Sequence, residues 1–85
     1  MTYRIRWTEL AAKQFEALDK QLQKRIQDSL SLMLTDPFSY VKRLRGVNLY
    51  SFRAGDYRAI VSVEHQLMVI LVVKIGHRST VYRGY

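Results

Sequence analysis

Apolar and polar residues alternate at the start of the chain and then change to helical spacing. Residues 2–7 place an apolar side chain at every second position, as in a strand with one buried face. Thr8 fits a helix N-cap, and apolar residues then recur at helical spacing up to Asp19. The apolar positions of the strand are Tyr3, Ile5 and Trp7. This segment predicts a strand followed by a helix.

A second amphipathic helix is predicted from Lys20 to Leu34. It ends before Pro37, because the residue that precedes a proline disfavours the helical conformation. Its apolar stripe consists of Leu22, Ile26, Leu30, Met33 and Leu34. The short link between the helices favours an antiparallel helical hairpin. A partner-binding or membrane-surface role for these stripes is the alternative, but both helices are charge-balanced and a sheet needs cover, which favours the core.

Residues 49–61 form the most informative stretch. Two aromatic and apolar runs flank Gly55 and Asp56, which predicts a β-hairpin with a two-residue loop. Counting outward from that loop places Arg53 directly opposite Arg58 on one face of the sheet. Like charges in that position lower stability, so we expect the pair to bind an anion.

Around this hairpin the other elements follow in order. Residues 38–48 form a connection, Tyr57–Glu64 a third strand, His65 and Gln66 a turn, and Leu67–Lys74 a fourth strand, with a tail that begins at Gly76. The prediction is an α+β fold of order β-α-α-β-β-β, with an antiparallel sheet, a two-helix hairpin on one face and a short functional tail. Residues 1–85 are expected to form a single domain.

Charge and composition limit the partners, metal sites and cellular location that we expect for this protein. The net charge is +7, and residues 42–85 carry eight basic side chains against two acidic ones, which indicates nucleic acid or an acidic protein as the partner. A merely solvated basic surface is the alternative. With no cysteine and two histidines, no set of zinc ligands is predicted and no metal site is expected. No signal peptide or membrane span is recognised, so a cytoplasmic protein is expected.

The hairpin and the tail together suggest a phosphate site. Ser51, Arg53 and Arg58 share one face, and strand pairing is expected to bring three tail residues close to it, namely His77, Arg78 and Tyr82. Ser51 is a predicted RNA contact, and further ones are Lys42, Arg43 and Arg45 in the connection and Arg83 and Tyr85 in the tail. Guanidinium groups stabilise charge on a phosphate, tyrosine stacks on bases, and histidine transfers protons near neutral pH. Arginines that pair only with Asp56, Glu64 or backbone carbonyls are the structural alternative.

The residues resemble a known family. Arg53-Ala-Gly-Asp-Tyr-Arg58, the preceding Lys-Arg-Leu-Arg-Gly and the closing Ile-Gly-His-Arg-x-x-x-Tyr82 are similar to the RelE/ParE toxin superfamily, in particular its RelE branch. The resemblance covers essentially the whole chain. It implies a toxin that cleaves mRNA in the ribosomal A site without a metal and that a cognate antitoxin protein neutralises.

The resemblance also implies residue roles. Arg58 and Arg78 match arginines that stabilise the transition state, Tyr82 matches a tyrosine near the base and the scissile phosphate, and Arg53 falls where a basic catalytic residue is often found. Ser51 departs from the pattern, which commonly has Lys or Arg there, so the general base stays unassigned. Two alternatives remain: a ParE-like inhibitor of DNA gyrase without nuclease chemistry, and a nonenzymatic module that binds RNA or its antitoxin.

Overall fold

The computed structural model describes residues 2–82, which form one five-stranded sheet and two α-helices. In chain order these residues form β1 (Arg4–Trp7), α1 (Glu9–Glu16), α2 (Lys20–Ser31), a 3₁₀ helix (Pro37–Ser39), β2 (Val41–Arg43), β3 (Tyr50–Ala54), β4 (Tyr57–Glu64) and β5 (Val69–His77). The order of strands across the sheet is β1-β5-β4-β3-β2. The α+β class is confirmed.

The sheet is mixed, so the expectation of a purely antiparallel sheet is wrong. β1 runs parallel to β5, with Arg4 opposite Val69, while the other three pairings are antiparallel. The helices carry the chain from β1 to the far edge of the sheet, where β2 begins. The three antiparallel pairings β2–β3, β3–β4 and β4–β5 then bring the chain back across the sheet to β5, which lies beside β1. β2 lies in a segment predicted as a connection, and it is only three residues long.

The first helix begins at the predicted cap, Thr8, the second is capped by Asp19, and both end earlier than predicted. The hydroxyl of Thr8 accepts a hydrogen bond from the Ala11 N–H at 3.1 Å, and the Asp19 carboxylate accepts one from the Leu22 N–H at 2.9 Å. After Ser31 the backbone changes to i→i−3 hydrogen bonds, for example from the Met33 N–H to the Leu30 carbonyl at 3.0 Å. Bonds of this kind tighten the last turn and end the α-helix.

The core lies between the helices and one face of the sheet. The hairpin residues on the face opposite Arg53 and Arg58 either are buried or pack against the core. These residues are Tyr50, Phe52, Ala54, Tyr57, Ala59 and Val61. From the helical side they meet Ala11, Ile26 and Leu30, and Tyr3 of the N-terminal segment is buried in the same cluster. The opposite face of the sheet, which we call the open face, has neither of the two α-helices over it in the described part of the chain.

The start of β5 and its internal register differ from the prediction. Its connection to β4 spans four residues rather than two, with Met68 at a φ of 55°. Within β5 the pairing changes from Val61↔Val72 to Ile60↔Lys74, so Val73 is the extra residue of a β-bulge. The Thr8 hydroxyl donates to the Val73 carbonyl at 2.9 Å, which ties the bulge to the start of α1.

Neither helix among residues 2–82 has the length and apolarity that a bilayer span requires.

Candidate functional site

A groove of about 410 Å³ crosses the open face next to β2. The 3₁₀ helix and β2 form one part of it, β3 and β4 another, and the C-terminal tail a third. We call it the basic groove, and its lining residues are Ser39, Tyr40, Val41, Lys42, Ser51, Arg53, Arg58 and Tyr82. Three of the eight are cationic and none is acidic, so the groove favours an anionic ligand.

The two hairpin arginines lie where the sequence predicted them. The loop residue Gly55 has a φ of 63°, and Arg53 pairs directly with Arg58 across β3 and β4. A loop that needs a positive φ only at its first central residue fits a type II′ turn, which fixes the hairpin register. The predicted facing pair is therefore confirmed.

Arg58 has an unsatisfied hydrogen-bond donor. Its Nη1 atom is buried and has no hydrogen-bond partner among the described residues. The Arg53 side chain, by contrast, donates from Nε to the Gly55 carbonyl at 3.3 Å. A buried guanidinium nitrogen without a partner is unfavourable, and an anion in the groove would supply the missing acceptor.

The tail reaches the groove by packing on a glycine. Gly76 lies opposite Arg58 across β4 and β5, and Val81, which is 1% exposed, packs against it. A Cβ atom on Gly76 would be 3.3 Å from both the Cβ and the Cγ2 atoms of Val81, closer than ordinary packing allows. The lack of a side chain at Gly76 therefore lets the tail lie against the sheet and bring Tyr82 into the groove.

His77 does not join the basic groove, so the predicted convergence is wrong at this residue. It pairs with Tyr57, which belongs to the helix-covered face, and the two rings meet edge to face with centroids 5.8 Å apart. The bulge at Val73 causes this placement, since one extra residue moves every later side chain of β5 to the other face. The His77 Nδ1 atom is 2.8 Å from the Ser79 hydroxyl.

Arg78 lies next to the hairpin turn but is not among the groove-lining residues. Its N–H donates to the Asp56 carbonyl at 2.9 Å, and its side chain is exposed. Its proposed contact with RNA stays a prediction.

The predicted RNA contacts divide between the two faces of the sheet. Lys42 pairs with Ser51 on the open face, and both line the groove. Arg43 pairs with Tyr50 and so belongs to the helix-side face, whereas Arg45 lies in the exposed loop between β2 and β3. Neither of these two arginines lines the groove. The remaining predicted contacts, Arg83 and Tyr85, lie outside the described residues.

Three lining residues were missed by sequence analysis: Ser39, Tyr40 and Val41. They immediately precede or begin β2, which was read as loop. A signal was present, since Leu44 and Leu49 close a loop around Gly46, whose φ is 81°. Recognising that loop as a hairpin turn would have placed residues 39–42 alongside β3.

The chemistry available in the groove is charge stabilisation and stacking. Arg58, Arg53 and Lys42 can contact phosphate oxygens, and Tyr40 and Tyr82 offer aromatic rings. Among its described lining residues there is no carboxylate or imidazole to act as a general base. A larger hollow of about 550 Å³ borders the start of α2, but its lining contains one acidic residue, Asp19, and one basic residue, Arg25, so it lacks this charge bias.

Comparisons with known proteins agree with this fold. Residues 5–82 match the family model described as the ParE toxin of the type II toxin–antitoxin system parDE. A RelE-like toxin protein of Escherichia coli is 30% identical over 96% of this chain and 92% of its own length.

Solved structures give the same result. The archaeal RelE–RelB complex from Pyrococcus horikoshii is 30% identical, with a TM-score of 0.79 over 94% of this chain and 99% of its own. The toxin–antitoxin complex RelBE2 from Mycobacterium tuberculosis has a TM-score of 0.84 over 92% and 100% of the two chains, at 20% identity, which supports the fold alone. The fold and the sequence thus define a toxin of a toxin–antitoxin system, and the chain belongs to the RelE/ParE toxin family.

Proposed function

We propose that this toxin is a ribosome-dependent endoribonuclease that cleaves mRNA without a metal and so inhibits translation in the cytoplasm. The observation that carries the proposal is the buried, unpartnered Nη1 atom of Arg58 in a groove that also contains Arg53 and Lys42. A phosphodiester supplies both the negative charge and the hydrogen-bond acceptors that this groove lacks.

In the proposed reaction the ribose 2′-oxygen attacks the adjacent phosphorus. A new 2′-O–P bond forms and the 5′-O–P bond breaks, which leaves a 2′,3′-cyclic phosphate and a 5′-hydroxyl. Arg58 stabilises the charge that develops on the pentavalent phosphate, and Arg53 and Lys42 hold the strand. The 2′-hydroxyl gives its proton to water, and the departing 5′-oxygen takes one up. The nucleophile belongs to the substrate, so the step requires no metal-bound water.

A cognate antitoxin protein is the second proposed partner. The P. horikoshii relative, at 30% identity, is a RelE–RelB complex, which supports this assignment. The open face also carries a net positive charge along the groove, which suits an acidic segment of a partner. Such a segment would neutralise Arg53 and Arg58 and cover the groove.

The proposal is tested by mapping mRNA ends on ribosomes in a translation extract after addition of the toxin. Wild-type protein is expected to cut within codons. Arg58→Ala should lower the cleavage rate by roughly 100- to 1,000-fold, the usual effect of removing one group that stabilises developing charge. Arg4→Ala is the matched control, because Arg4 is an exposed arginine at the opposite edge of the sheet from the groove, and this variant should cut like wild type.

Inhibition of DNA gyrase is the competing function, and the ParE description of the matching family model favours it. A parallel supercoiling assay separates the two. Intact mRNA together with blocked supercoiling would replace the nuclease proposal with the gyrase reading. Intact mRNA and normal supercoiling, with RNA or antitoxin binding retained, would indicate a nonenzymatic binding module.

A further inference from the structure

The five tyrosines of the described residues fall into two groups. Three of them are engaged within the protein: the Tyr3 hydroxyl is 2.7 Å from His65 Nδ1, Tyr50 meets Phe38 with ring centroids 5.6 Å apart, and Tyr57 meets His77. The other two, Tyr40 and Tyr82, make no side-chain hydrogen bond or ring contact with any described residue. Both line the basic groove, with 47% and 37% of their surface exposed.

Tyr82 matches the tail tyrosine of the family, whereas nothing in the family resemblance accounts for Tyr40. An exposed aromatic ring beside three cationic side chains gains little from the protein itself. A nucleobase would cover it, since unpaired bases stack on aromatic rings wherever the neighbouring backbone phosphates are held by basic groups.

The backbone on both sides of Tyr40 is fixed. Its N–H donates to the carbonyl of the buried Pro37 at 3.0 Å, and the next residue, Val41, pairs with Phe52 of the sheet. A fixed backbone limits the positions that the ring can take before the ligand arrives, which lowers the ordering cost of binding. Tyr40 therefore has the properties of a preformed platform.

We propose that Tyr40 stacks on an unpaired base of the RNA whose phosphate Arg58 binds, and that the groove thereby selects single-stranded over double-stranded RNA. The inference rests on the proposed function and deepens it, because it names a base-binding position for the same substrate. Tyr40 acts here as a binding residue. In duplex RNA the bases are stacked within the helix and are not available to the ring.

The test uses a short single-stranded RNA with 2′-O-methyl groups, which cannot be cleaved by 2′-oxygen attack. The fluorescent base 2-aminopurine is placed at each position in turn, since stacking quenches its emission. Wild-type toxin and Tyr40→Phe should bind with similar affinity and quench one position. Tyr40→Ala should bind roughly 5- to 150-fold more weakly, the range expected for loss of one base–aromatic stack, and should leave that position unquenched.

Phe38→Ala is the matched control. Phe38 is an aromatic residue two positions away, is 48% exposed and lies outside the groove lining. Its removal should leave RNA affinity and quenching unchanged. If Phe38→Ala weakens binding as much as Tyr40→Ala does, the effect comes from the local fold and the proposal is wrong.

Other outcomes separate this inference from the proposed function. Wild-type affinity in Tyr40→Ala, equal binding of duplex and single strand, or no binding of the oligonucleotide by wild type each overturns the stacking role. The nuclease proposal survives any of these results if wild-type toxin still cuts mRNA on ribosomes and Arg58→Ala does not. Absence of ribosomal cleavage by wild type overturns the nuclease proposal, and the quenching result then decides separately whether Tyr40 stacks on RNA.

Discussion

Arg58 combines two features that lower stability and suit a ligand site. It faces Arg53 across the hairpin, and its buried Nη1 atom has no partner among the described residues. Facing like charges cost about 0.2–1 kcal/mol, and an unsatisfied buried polar atom costs about 1–3 kcal/mol. A residue that the fold does not need for stability is best explained by what it binds.

Replacing Arg58 by methionine should therefore separate stability from activity. Arg58→Met keeps an unbranched side chain and removes the charge, so we expect a gain of about 1 kcal/mol, which is about 4–8 °C in Tm for a domain of this size. Calorimetry measures the gain, and the ribosomal assay should show the same loss of cleavage as Arg58→Ala. Arg4→Met, at an exposed arginine on the opposite edge of the sheet, should change neither quantity. A marked fall in Tm for Arg58→Met would mean that Arg58 is a structural residue.

Gly76 tests whether the position of the tail matters for activity. In Gly76→Ala the new Cβ would be 3.3 Å from Val81, so the tail has to shift by a few tenths of an ångström and Tyr82 moves with it. We expect about 1 kcal/mol of destabilisation from overpacking and a roughly 10- to 100-fold lower cleavage rate.

Gly46→Ala is the matched comparison for Gly76→Ala. Gly46 has a φ of 81° with nothing within 4 Å of an added Cβ, so the variant should cost about 1 kcal/mol through backbone strain alone and leave cleavage unchanged. Equal cleavage by both variants would show that the tail position does not matter.

At the scale of elements, Thr8 links the start of α1 to the bulge in β5. Its hydroxyl accepts from Ala11 N–H and donates to the Val73 carbonyl. Thr8→Val loses both bonds and should cost about 2 kcal/mol in urea unfolding, while Thr8→Ser keeps both and should stay within about 0.5 kcal/mol of wild type.

Asp19→Ala gives the reference value for Thr8→Val. It removes an exposed cap bond at the start of α2 and should cost about 1 kcal/mol. If Thr8→Val costs no more than Asp19→Ala, the link to the bulge contributes nothing to stability.

The same elements show how far the sequence could predict the fold and the site. The β3–β4 hairpin was predicted in full because Gly55 and Asp56 form a two-residue loop, and such a loop fixes the register by itself. The β4–β5 connection carries no comparable signal: its four residues include Met68 in the left-handed region, a conformation rare outside glycine.

Two other differences depend on contacts between distant parts of the chain. The parallel pairing of β1 and the bulge held by Thr8 bring together residues more than 60 positions apart, so no local pattern reveals them. β2 was missed because three residues give too short an alternation to recognise. The structure therefore brings Arg53, Arg58 and Tyr82 together in the groove, as expected, and places His77, which lies beyond the bulge, on the other face, while the roles of these residues stay predictions.

At the scale of the whole molecule, we expect the salt dependence of RNA binding to be set by the cationic side chains that line the groove. The net charge of +7 on the whole chain should not set it. Three cationic groups line the groove, and each neutralised phosphate of a single strand contributes about −0.7 to the slope of log K against log salt, so we expect a slope of about −2. Titration of the uncleavable RNA between 50 and 200 mM salt measures it.

Two variants make the salt measurement decisive. Lys42→Ala should reduce the slope by about 0.7, because Lys42 lines the groove. Arg4→Ala, at the opposite edge of the sheet, should leave it unchanged. A much steeper slope, lowered equally by both variants, would indicate diffuse binding over the basic surface.

The bulge at Val73 also determines how the groove can change in evolution. If β5 lost the bulge but kept its length, Val73 would pair with Ile60 and every later side chain of β5 would change face. Lys74 would then turn toward the helices, where its ammonium group is costly to bury, and His77 would move to the open face. Deletion of Val73 would instead leave Lys74 opposite Ile60 and His77 opposite Tyr57, as they are now. A histidine at the position of His77 in a chain of the same length therefore lies on the same face only if that chain also has the bulge.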